Sequence, residues 1–78
     1  MQIGWYERAK EETQAAIELD DRYALAHCAL GSAYQGLGAN NEAIAALWRC
    51  ADLASEQDQD ELYVHAKTLL AALMQQPS

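Results

Sequence analysis

Apolar residues recur at intervals of three and four along most of the chain, and they form four groups separated by short polar stretches. Such spacing places the apolar side chains on one face of a helix, whereas a strand would need strict alternation. The groups predict four helices, near residues 4–19, 22–36, 40–54 and 58–75. The sequence therefore predicts an all-α fold in a single domain, residues 1–78.

The second and third of these helices form the most clearly defined hairpin. Gly36, Gly38 and Asn40 lie between their apolar rows, and glycine favours the left-handed backbone that ends many helices. Asn40 is expected to cap the third helix through its side-chain oxygen. Gly31 and Ala43 are small residues on facing surfaces of the two helices, so the backbones are expected to approach closely there.

An internal repeat relates the first helix to the third. Small or apolar residues recur 34 positions apart in the pairs Gly4 and Gly38, Ala9 and Ala43, Ala16 and Cys50, and Leu19 and Leu53. Together with Leu30-Gly31, Tyr34 and the Glu42-Ala43-Ile44 run, this spacing resembles the tetratricopeptide repeat, a helix–turn–helix unit of 34 residues.

The resemblance implies a right-handed, superhelical stack of antiparallel helix hairpins. Residues 4–21 would be the second half of one repeat, residues 24–57 a full repeat and residues 58–75 a capping helix. The concave groove of such a stack would be lined by the second helix, through Leu25, Cys28, Ala29, Ser32, Gln35 and Gly36. The resemblance thus implies a protein-interaction module, an adaptor or scaffold, that binds a peptide or a helix of a partner protein.

A second interpretation is a self-associating structural unit, or a fragment of a longer repeat protein with no independent activity. Only residues 1–3 precede the first helix, so we expect Trp5 and Tyr6 to remain partly exposed and to support a weak homodimer. Trp48 either packs against the last helix, which the sequence favours, or anchors a partner, because tryptophan is enriched in binding hot spots.

The charge of the chain narrows the range of partners. Twelve acidic residues oppose five basic ones, for a net charge of −7. Binding to nucleic acid or to anionic membranes depends on Lys and Arg, so neither partner is expected. We find no apolar run long enough to span a membrane and no signal peptide, and we expect a cytoplasmic protein.

Residues with catalytic or metal-binding chemistry are few and widely spaced. Cys28 and Cys50 lie 22 positions apart without the paired spacing of a metal site. A disulfide between them remains an alternative, but the sequence favours two small thiols, with Cys28 the more accessible. Neither His27 nor His65 is accompanied by a nucleophile or by a pair of acids. We therefore expect no enzymatic activity, no metal and no cofactor.

Overall fold

The computed structural model describes residues 2–75, and the side chains of residues 4–75. This part of the chain consists of four α-helices: α1 (Gln2–Leu19), α2 (Ala24–Gly36), α3 (Asn40–Glu56) and α4 (Asp60–Met74). Each helix packs on the next along the chain. The predicted all-α fold of four helices is confirmed. Fraying of Pro77 and Ser78, also expected from the sequence, lies outside the described residues.

The turn between α1 and α2 is longer than the sequence suggests, and α2 begins at residue 24 instead of 22. The side chain of Asp20 accepts a hydrogen bond from the backbone N–H of Arg22 (3.1 Å), and its carbonyl accepts one from the N–H of Tyr23 (3.2 Å). Asp is well suited to such turns because its short side chain can bond backbone two residues on. These bonds keep residues 20–23 out of the helix.

The turns after α2 and after α3 resemble each other, because each contains one residue with a left-handed backbone. After α2, Gly38 adopts a φ of 79°, while the N–H groups of Gly38 and Ala39 return to the carbonyls of Gln35 and Tyr34. This hydrogen-bond pair is the Schellman motif, which satisfies carbonyls left unpaired at a helix end. The glycine predicted to end α2 therefore does so.

After α3, Asp58 takes the place that Gly38 has after α2, with a φ of 59°. The N–H groups of Asp58 and Gln59 bond to the carbonyls of Ser55 and Ala54. This left-handed residue is why α4 begins at Asp60 and not at residue 58 as predicted. The predicted cap at Asn40 is also corrected, because Ala39 is the N-cap of α3 and Asn40 is the first residue of the helix.

The core lies between α2, α3 and α4. Its largest fully buried side chains are Leu47, Leu53, Leu70 and Cys50. At the contact of α2 with α3, a Cβ built on Gly31 would lie 2.7 Å from Cγ of Leu47 and 3.4 Å from the carbonyl oxygen of Ala43. Gly31 and Ala43 therefore face each other as predicted, and the absence of a side chain at residue 31 makes room for Leu47.

Cys28 and Cys50 form a disulfide across the same hairpin, with their Cα atoms 5.2 Å apart. The prediction of two thiols is therefore wrong, and so is that of an accessible Cys28, since both residues are buried. The two helices run antiparallel, so residues equidistant from the turn face each other. Cys28 and Cys50 occupy such a pair, one helical turn from Gly31 and Leu47.

Helix α1 is held more loosely than the others, and none of its described side chains is buried. It packs on α2 through the ring of Tyr6, which covers the backbone of Gly36. A hydrogen bond from Gln14 to the hydroxyl of Tyr34 (3.2 Å) adds to this contact. In the described part of the chain, no helix combines the length and the apolar character needed to cross a membrane.

Candidate functional site

An open pocket of about 720 Å³ lies where the first turn of α2 meets the turn between α3 and α4. Tyr23 and Leu25 line one side, and Leu25 is 52% exposed. The other side consists of Asp58, Gln59, Asp60, Glu61 and Leu62. A second concavity, of about 430 Å³, continues along α4 past Val64 and His65 and shares Asp60 and Glu61. We call this continuous surface the acidic groove.

Three carboxylates, those of Asp58, Asp60 and Glu61, set the charge of the acidic groove. Asp60 and Glu61 lie in the first turn of α4, where negative charge also stabilises the helix through its dipole. The ion pairs found among the described residues join Lys10 to Glu7 and Arg22 to Glu56, so neither involves these carboxylates. No Lys or Arg lines either concavity. The groove therefore presents negative charge beside exposed apolar side chains.

Bonds between the two turns hold the rim of the acidic groove. The guanidinium of Arg22 lies 3.0 Å from the carboxylate of Glu56, and the side-chain amide of Gln57 donates to the carbonyl of Arg22 (2.7 Å). Arg22 and Glu56 are 34 residues apart, one repeat length. Since Arg22 is adjacent in sequence to Tyr23, and Gln57 to Asp58, these contacts hold the start of α2 beside the turn between α3 and α4.

The structure separates the six residues predicted to line a groove. Leu25 lies in the acidic groove, and Ala29 and Ser32 continue its exposed row along α2. Gln35 is half-buried, and the space above Gly36 is filled by the ring of Tyr6. The prediction that Cys28 lines a groove is wrong. Its side chain points to α3, away from the exposed row, and is buried in the disulfide.

Sequence reasoning missed the part of the groove that α4 supplies. The residues predicted from the sequence to line a groove include none of Asp58, Asp60, Glu61, Tyr23 and Val64. A signal was present, because alternate helices of a stacked hairpin arrangement lie on the same side. The starts of α2 and α4 should then be neighbours, which would have brought the acidic turn beside Leu25.

The side chain of Trp48 lies against Lys67 of α4, and 41% of its surface is exposed. The ammonium of Lys67 lies 4.5 Å from the centre of the Trp48 ring and 6.0 Å from that of Tyr63. A cation over an aromatic face is attracted by the ring quadrupole. A small pocket of about 280 Å³ continues from Trp48 to Met74. The Trp48 surface is thus partly covered by the side chain of Lys67.

The remaining candidate residues are the aromatic pair Trp5 and Tyr6 and the two histidines. Trp5 is 66% exposed and meets the edge of Tyr6 at 5.3 Å between ring centres. A ring nitrogen of His27 lies 3.0 Å from the carbonyl oxygen of Asp21, and His65 lies in the acidic groove. Over residues 2–75 there is no group of three or more His, Cys, Asp or Glu side chains placed to hold a metal ion.

No family model matches the chain, and comparisons with curated proteins and with solved structures give no match either.

Proposed function

We propose that this chain is a protein-interaction module whose acidic groove binds a partner segment with alternating apolar and basic side chains. The observation that carries the proposal is the juxtaposition of exposed Tyr23 and Leu25 with three carboxylates in one open concavity. Apolar contacts would supply affinity, and the carboxylates would select for Lys or Arg on the partner and against acidic segments.

The tetratricopeptide resemblance supports the same class of function, because stacked helix hairpins present extended surfaces for other proteins. The groove differs from the one expected on sequence grounds, since it uses the first turn of α4 as well as Leu25. Its charge disfavours nucleic acid, whose phosphates require Lys or Arg. The proposal is for binding without catalysis, since the described groove residues include no nucleophile paired with a base.

An NMR titration tests the proposal with two designed peptides as probes. One alternates Leu with Lys, and the other alternates Leu with Glu. We expect the Leu/Lys peptide to shift the amide signals of Leu25, Asp60 and Val64 and the Leu/Glu peptide to leave them unchanged. Shifts confined to α1 or to Trp48, or equal shifts by both peptides, would contradict the assignment of the groove.

Variants separate the two parts of the groove. Neutralising Asp58, Asp60 and Glu61 with the matching amides should weaken Leu/Lys peptide binding by roughly ten-fold, since each exposed charge contributes about 0.5 kcal/mol. Leu25→Ser should lower the affinity for the Leu/Lys peptide, but the dependence of that affinity on salt concentration should stay the same. Asp52→Asn on α3 is the matched control, because Asp52 is exposed outside the groove. Equal effects of the control and the groove variants would overturn the proposal.

We further propose that the chain works in an oxidising compartment, in place of the cytoplasm expected from the sequence. The basis is the buried Cys28–Cys50 disulfide, because disulfides persist in secreted and periplasmic proteins and are rare in reducing compartments. Mass spectrometry of protein alkylated in its native cells would test this. Alkylated Cys28 and Cys50 would contradict the proposed compartment.

A further inference from the structure

The internal repeat allows one face of α1 to be compared with the equivalent face of α3. Leu19 is 90% exposed, whereas Leu53, its equivalent 34 residues later, is fully buried. Ala16 is also less buried than its equivalent, since it is half-buried and Cys50 is buried. In α3 this face is covered by α2, and Cys50 is joined to Cys28 there. The same face of α1 has no covering helix within the described residues.

The exposed row beside this face has the spacing of a coiled-coil seam. Trp5, Arg8, Glu12, Ala15 and Leu19 follow one another at intervals of three, four, three and four residues, and all five are exposed. Alternating steps of three and four keep side chains on one stripe of a helix, the a and d positions of a heptad. We call this row the α1 seam.

We infer that the α1 seam is a docking surface for a second copy of this chain, which pairs with it antiparallel about a two-fold axis. In an antiparallel pair, each a position of one helix faces a d position of the other. One register places Arg8 opposite Glu12 of the second copy, and Trp5 opposite its Ala15. The two-fold symmetry repeats both matches, so the surface is self-complementary.

The charges and sizes of the facing side chains favour this register, and they favour the α1 seam over another surface of the chain. Arg8 and Glu12 are of opposite sign, and the large Trp5 ring meets the small side chain of Ala15. The neighbouring base, Lys10, is bonded to Glu7 (3.0 Å) on the other side of the helix, and that hydrogen bond raises the pKa of Lys10. The α4 face is less suitable, because Lys67 lies over Trp48 there.

Charge-swap variants test the pairing by sedimentation equilibrium at high chain concentration, because small interfaces bind weakly. Arg8→Glu alone and Glu12→Arg alone each create two like-charge contacts across the axis, and each should weaken dimerisation by roughly ten-fold. The double variant restores both opposite-charge pairs and should dimerise like the wild type. An equimolar mixture of the two single variants should form a heterodimer.

Controls distinguish the pairing from general charge effects. Arg49→Glu and Asp52→Arg make the same charge changes at exposed sites of α3 and should leave dimerisation unchanged. Circular dichroism checks that each variant keeps its helices. A wild type that stays monomeric, single swaps without effect, or a double variant that fails to recover would each overturn the inference. Assemblies larger than a dimer would also overturn it, because a two-fold contact closes.

Discussion

Replacing Gly31 by alanine is expected to destabilise the protein, although alanine is the better helix former. The new methyl group would lie 2.7 Å and 2.8 Å from two carbons of Leu47, and Leu47 is fully buried. Overpacking of this kind costs about 1–3 kcal/mol, against a gain of about 1 kcal/mol in helix propensity. Because Leu47 has little room to move, we expect the upper part of this cost, about 2–3 kcal/mol, and therefore a net loss of about 1–2 kcal/mol.

Urea unfolding followed by circular dichroism measures this loss. For a chain of this length, 1 kcal/mol corresponds to about 4–8 °C in the melting midpoint, so thermal unfolding provides a second measurement. Gly4→Ala is the matched control, since no atom lies within 4 Å of a Cβ built there. That variant should be stabilised by up to about 1 kcal/mol, because only the propensity changes.

A double-mutant cycle ties the effect to Leu47. Leu47→Ala alone should cost about 2–5 kcal/mol through the cavity it leaves. In that background the methyl group at residue 31 has space, so Gly31→Ala should become neutral or stabilising. An equal loss from Gly31→Ala in both backgrounds would refute the close approach as the cause.

Two further predictions concern the hairpin and its exit turn. Replacing Cys28 and Cys50 together by alanine should cost about 3 kcal/mol in urea unfolding, because the bond closes a loop of 22 residues in the unfolded chain; equal urea midpoints for that variant and the oxidised wild type would contradict the pairing. Asp58→Gly should raise the free energy of unfolding by about 0.5–1 kcal/mol, since Asp58 holds a left-handed φ of 59°. Asp60→Gly, two residues further on but inside α4, should instead lower it, and a loss in both variants would show that the left-handed backbone carries no penalty.

The pattern of residues along the chain was sufficient to predict the four helices and the hairpin of α2 and α3. The spacing of apolar residues predicted four helices, because periods near 3.6 distinguish helices from strands. Gly38 predicted the end of α2, because glycine has no Cβ and adopts a left-handed backbone without steric cost. The small pair Gly31 and Ala43 predicted where α2 and α3 approach.

Tertiary structure decided the acidic groove and the disulfide. Leu25 and Asp60 are 35 residues apart in sequence and meet only because α2 and α4 lie on the same side of α3. Cys28 and Cys50 were interpreted as separate thiols, because bond formation depends on a Cα distance that the register of two packed helices sets. The helices follow from local preferences along the chain, whereas these sites follow from how the helices pack, which residue spacing alone does not fix.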